Sequence, residues 1–284
     1  MEKYHLNHNH MLFLHTHHIV DLYSWVDDVL PKQLSKKLGR PVLVSDSEVL
    51  TMLIWNTVTL KQSNLKDIFN ALHLYHQNDF PTLPKYSSFV NHCHKVLPQF
   101  LELTELLMQS SETGIVDSTM LPVCRLYRAN DHKVAKGKAQ FGKNHQGWHY
   151  GFKLHVTITL DGKLSSLSFT GANQYDAQIL PHLVNKQKIL VGDTLYGASV
   201  MRRYIWEEYG TVIISPPFPK QNKKIATPWQ NVLLNMRSKI ESVFDYLKNH
   251  LHLVSSFPRS MTGYLVHYMR ILLSYQIMAL SQGK

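Results

Sequence analysis

The sequence predicts a chain of mixed class, α+β/α/β. An all-helical N-terminal domain over residues 1–110 is followed, over 111–284, by a mixed five-stranded sheet flanked by helices. Three observations carry this expectation. Up to about residue 108, apolar residues recur at helical spacing and Pro41, Pro81, Pro84 and Pro98 punctuate them. From Thr113 the pattern changes to short β-branched runs, Gly114-Ile115-Val116 and Ile189-Leu190-Val191, each closing on an aspartate. Charge divides at the same place: residues 1–112 hold 9 basic and 11 acidic residues, net −2, and residues 113–284 hold 21 and 9, net +12.

Taken in order, the chain opens with His5, His8, His10, His15, His17 and His18 crowded together. Transition-metal binding is one reading. An amphipathic entry helix leading into Ile19, Leu22, Trp25, Val26 and Leu30 is preferred, because no carboxylate or cysteine completes a ligand set. Ser45 or Ser47 caps a helix beginning near Glu48, with Asp46 and Glu48 in its first turn. Further helices are expected over 65–74, 87–96 and 100–108. The one beginning at Ser87 is a candidate DNA-recognition helix, against a dimerising or purely structural role for the whole domain.

Residues 123–149 read as a basic insertion. Around them Arg125, Arg128, Lys133, Lys136, Lys138, Lys143 and Lys153 are interleaved with Phe141, Trp148 and Tyr150, and Asp131 is the only acid. Cations that neutralise phosphates beside rings that stack on bases make this the best nucleic-acid-contact segment, the alternative being a solvated loop. Residues 152–160 alternate as a strand, Asp161-Gly162 turns, and residues 164–170 return. Asn173 or Asp176 then caps a helix through Leu183, the strand ending at Asp193 follows, and a helix over 197–209 leads into a strand over 211–215 that Pro216, Pro217 and Pro219 end. His155 has no evident partner on its strand, and Glu207 and Glu208 read as solvated. A helix containing Arg237, Glu241 and Lys248 on one face comes next, with Ile240, Val243, Phe244 and Leu247 on the other. Residues 265–280 form a last apolar helix, with Arg270 its one charge, expected to cover the sheet. Strand, hairpin, helix, strand, helix, strand, helix is a ribonuclease H-like order.

Two carboxylates at neighbouring strand ends and a third from a helix against them suit a pair of hard divalent cations about 3.5–4 Å apart. Cys93 and Cys124 make neither a disulfide framework nor a zinc-finger spacing, which fits a reducing cytoplasm. No apolar run reaches the ~18 residues of a membrane span, and the opening stretch lacks the marks of a signal peptide.

These residues resemble the DDE transposases of bacterial insertion sequences. The first Asp stands in IVDST and the second in LVGDTLYG. RSKIESVFDYLK matches that family's Arg-x3-Glu-x6-Lys signature, with Leu234 where the signature often has Tyr. HKVAKGKAQFGKNHQGWHYGFKLH and FTGANQYDAQIL are similar to its linking stretches. The resemblance implies Asp117, Asp193 and Glu241 as catalytic ligands of two Mg²⁺ or Mn²⁺ ions. Arg237 and Lys248 would lie on DNA phosphates, and Lys133, Lys136, Lys138, Lys143 and Trp148 would be further DNA contacts. Asp245 competes with Glu241 for the third carboxylate, and Asp176 is either an assisting acid or a helix cap. The implied activity is cleavage at element ends and strand transfer into target DNA, by a homodimer in the nucleoid-associated bacterial cytoplasm. A nuclease that only cuts and a catalytically idle DNA-binding protein are the alternatives.

Overall fold

The computed structural model describes residues 19–30, 43–217 and 227–281. The N-terminal histidines and Pro219 lie outside them. In chain order the helices α1 (Ile19–Val29), α2 (Asp46–Thr59), α3 (Leu65–Tyr75), α4 (Tyr86–Lys95) and α5 (Leu97–Leu107) precede the strands β1 (Thr113–Pro122), β2 (Gln140–Asn144), β3 (Gly147–Thr159), β4 (Leu164–Gly171) and β5 (Ile189–Val191). Helix α6 (Ser199–Tyr209), strand β6 (Val212–Ile214) and helices α7 (Pro228–Asn235), α8 (Ser238–Asp245) and α9 (Met261–Ser281) complete the order. Among the described residues no helix is long and apolar enough to cross a membrane.

The chain divides into two compact units. The first takes the described residues up to Leu107, with Asn249–Leu253 and those from Phe257 onward. Its centre is α2, buried on every side from Val49 to Thr57. A helix can be buried all round only if its polar side chains find partners. Here Thr51, Asn56 and Thr57 each donate to the carbonyl four residues back. Of the two candidate caps, Ser45 is the one used: its hydroxyl accepts from the Glu48 amide, and the Glu48 carboxylate accepts from the Ser45 amide. Ser45→Ala is therefore expected to lower stability by about 1 kcal/mol, read as a shift in the denaturation midpoint of the purified protein. No shift would mean that tertiary packing alone holds the end of α2.

Helix α9 corrects an expectation. It packs on α5, α2 and α4 and belongs to this first unit, not to the one that holds the sheet. Its apolar periphery suits burial against either kind of neighbour, so periodicity could not choose between them. Its one charge does choose, because Arg270 is buried and its two terminal nitrogens bond to Thr57 Oγ1, the carbonyls of Gln62 and Ser63, and His267 Nδ1.

The second unit, Met108–Lys248 with Val254–Ser256, holds a sheet of six strands, one more than expected. The order is β2-β3-β1-β5-β6, with β4 also paired to β3. β3 runs antiparallel to β1, β2 and β4, whereas β5 runs parallel to its two neighbours, β1 and β6. The extra strand is β2, inside the segment read as an insertion. Gln-Phe-Gly-Lys-Asn lacks an apolar alternation, and it pairs with the first residues of β3 across a two-residue hairpin. β2 and β4 share the outer edge of β3 end to end, and a Cβ on Gly142 would run into the Ala172 carbonyl, so glycine is required for that approach.

Candidate active site

The register of the sheet places two acids side by side. Ile115 of β1 pairs with Val191 of β5 as the last pair of that parallel ladder. Asp117 and Asp193 each follow by two residues, at the carboxyl end of β5 where β1 has no partner on that side. β1 can carry an acid there because Gly114, Ile115 and Val116 are buried before it, which anchors the strand. Asp193 lies just outside β5 as the cap of a 3-10 turn, Thr194–Gly197, where Oδ1 accepts from the Leu195 amide at 2.8 Å. Asp117 Oδ1 accepts from the Ser118 amide at 2.7 Å. Gly192 is needed before the second acid, since a Cβ there would meet the Tyr196 ring at 2.8 Å.

Their surroundings disfavour the ionised form of both carboxylates. Burial, and then the charges of Asp193 and Asp176, push the Asp117 carboxyl up to about 7 against the Ser118 amide and Arg237. Burial and Asp176 raise Asp193, opposed by the amides of its own turn and by Arg237. The phenol of Tyr196 is fully buried and lies in the field of Asp176, Asp117 and Asp193, which together with burial raise it well above its ordinary range. Half-buried, repelling carboxylates are hard oxygen donors of the kind Mg²⁺ or Mn²⁺ takes.

Helix α8 packs on β1 and brings Arg237 to the two acids. Glu241, one turn on, faces Arg237 at 3.5 Å between Oε1 and Nη2, with its side chain largely exposed. Among the described residues no three His, Cys, Asp or Glu side chains stand close enough to hold a metal ion together. The α-helix ends at Asp245 and opens into a wider π turn, Tyr246–His250. That turn shifts Lys248 from the α-helical spacing assumed for the shared face with Arg237 and Glu241. Lys248 is half-buried beside His149 of β3, and burial lowers its pKa. Lys133, Lys136, Lys138, Lys143 and Trp148 are exposed, with Lys143 Nζ 5.8 Å from the centre of the Trp148 ring.

Asp176 is neither an N-cap nor the start of an α-helix. Tyr175 is the cap of a 3-10 segment, Asp176–His182, and the Asp176 carboxylate is buried 3.0 Å from Lys153 Nζ. His155 also has partners, Thr170 Oγ1 at 2.9 Å and Asp176 at 3.5 Å. One signal was available: Lys153 and His155 are two apart on a strand and so share a face. A cation buried on that face calls for an acid opposite it.

Residues 108–261 match the family described as "Transposase DDE domain". No curated protein matches the chain in sequence. The family match spans more than half of the chain and takes in every strand, both aspartates and Glu241, so the chain belongs to the DDE transposases.

Proposed function

We propose that this transposase cuts DNA at the ends of an insertion sequence and joins the freed 3′ ends to target DNA, using two Mg²⁺ or Mn²⁺ ions on Asp117, Asp193 and Glu241 in a ribonuclease H-like domain. The observation that carries the reading is the pair of half-buried, register-matched aspartates at the carboxyl end of β5. The ions would supply Lewis acidity toward the attacking and leaving oxygens. Asp117 and Asp193 would hold them. Arg237 takes a phosphate in bidentate fashion, and Lys248 takes one as a point charge. The Arg237–Glu241 pair, exposed and long at 3.5 Å, costs little to part, so phosphate binding by Arg237 frees Glu241 to join the aspartates.

Purified protein mixed with Mn²⁺, labelled DNA carrying the two borders of its own element and a supercoiled plasmid tests the reading. Labelled DNA joined to the plasmid supports it. Cut ends without joined product favour a nuclease, and neither product favours an idle DNA-binding protein. A dimer is proposed because two ends must be brought together.

The exposed β2–β3 hairpin and the loop before it supply the DNA-binding surface in this reading. Trp148→Ala is expected to weaken binding of single-stranded oligonucleotides by about 1–3 kcal/mol, measured by fluorescence anisotropy. Neutralising any one of Lys133, Lys136, Lys138 or Lys143 is expected to lower the salt dependence by about one phosphate contact. An unchanged salt slope in all four would remove this loop from the interface.

A further inference from the structure

Behind the two acids, on the other face of the sheet, lies a buried charge pair. By strand alternation Lys153, His155 and Thr157 share one face of β3. The segment after β4 covers this face: Lys153 Nζ donates to the Gln174 carbonyl at 2.8 Å and to Asp176 Oδ1 at 3.0 Å, and Thr157 Oγ1 donates to the Leu183 carbonyl. Both charged side chains are nearly removed from solvent, Lys153 at 8% and Asp176 at 8% exposure. A pair so placed adds little stability over an apolar one, whereas breaking it is costly.

The pair is coupled to the site through packing. Ile179 and Leu180, in the 3-10 segment headed by Asp176, lie in one core cluster with Tyr196 and with Val116, the neighbour of Asp117. Tyr196 belongs to the turn that Asp193 caps, and the two 3-10 segments pack on each other. The negative charge of Asp176 is also felt at Asp117, Asp193 and Tyr196.

We infer that Asp176 and Lys153 are positioning residues that hold the Asp193 turn from behind and set the charge against which the two aspartates take a divalent cation. The inference rests on the reading of Asp117 and Asp193 as metal ligands. Asp176 adds a third negative charge that favours the cation, and Lys153 offsets it so that the metal-free protein tolerates the cluster. Removing one or the other therefore has opposite effects on metal affinity, although each breaks the buried pair and lowers stability.

Calorimetric titration with Mn²⁺ and thermal unfolding in EDTA, on the full chain, test this. Asp176→Asn is expected to weaken Mn²⁺ binding about tenfold. Lys153→Met is expected to tighten it several-fold, and the double variant to return near the wild-type Kd. Each single variant should melt below wild type. Equal-signed shifts in Kd that follow the loss of melting temperature, or no shift in either single variant, would make the pair purely structural and overturn the inference. Should Lys153→Met fail to fold, Asp176→Glu decides: recovery of the affinity lost in Asp176→Asn supports the inference, and equal loss in both overturns it. Wild type that binds no Mn²⁺, or Asp193→Asn that binds it undiminished, overturns the reading of the site and this inference with it.

Discussion

Asp117→Asn is expected to remove Mn²⁺-dependent DNA cleavage and at the same time to raise the melting temperature of the metal-free protein. Loss of a ligand that stabilises transition-state charge by several kcal/mol corresponds to a fall of about a thousandfold or more in rate. The stability change follows from the raised carboxyl. With a folded pKa of about 7 against 3.8 unfolded, Asp117 favours folding only while protonated. That contribution is whole below about pH 4 and is lost as pH rises through 7, so at pH 8 the ionised group opposes folding. Asparagine carries no such cost. The gain is on the order of 2 kcal/mol, or about 4–8 °C for a domain of this size, in calorimetry at pH 8 with EDTA. A variant that melts lower and still cleaves would remove Asp117 from the site.

Arg270→Ala is expected to destabilise the helical unit by about 3–5 kcal/mol, enough to leave much of it unfolded at 37 °C. The guanidinium is 1% exposed, and burial pulls its pKa down to about 10, so it stays charged at neutral pH. Its fork satisfies the turn after α2, where Lys61 takes a left-handed backbone (φ 51°) and the next two carbonyls point at Arg270. Arg270→Lys should rescue little, since an ammonium does not reproduce the planar fork. Urea denaturation measures both, and a loss under 1 kcal/mol for the alanine variant would contradict the role assigned.

His267 beside Arg270 predicts the direction of acid unfolding. Its Nε2 faces the carbonyls of His252 and Leu253 and its Nδ1 faces Arg270, so it is held neutral. Burial, and then Arg270, lower its pKa to about 3. A lowered histidine contributes stability that is present above about pH 6.5 and is lost as pH falls toward 3, at about 1.4 kcal/mol per pH unit once titration sets in.

Much of this fold was legible because local chemistry and global fold agree. Ser45 with Glu48, the Asp161-Gly162 hairpin and the two β-branched runs ending in Asp each carry their own physical signature. β2 carried none: Gln140 to Asn144 is a polar strand held by its hairpin partner, so only pairing reveals it. The role of Asp176 was obscured because an acid after Asn-Gln-Tyr satisfies a capping pattern equally well, and its partner Lys153 lies 23 residues earlier. The destination of α9 depended on where Arg270 finds its acceptors, more than 200 residues away in sequence. The wider turn at Tyr246–His250 has no marker in Tyr-Leu-Lys-Asn-His at all.

The return of α9 to the first helices has a consequence for biosynthesis. Leucines and aromatic residues of α2 and α5 that α9 shields leave the ribosome more than 150 residues before it does. At roughly 5–20 residues per second this leaves an interval of about 8–30 seconds in which that surface waits uncovered. The sheet unit between them can fold during that interval from residues already made. A chain released early, before Met261, would thus retain the sequence for its sheet and both aspartates yet present a sticky, unfinished helical half to chaperones and proteases. Only a chain translated through α9 can close the helical unit.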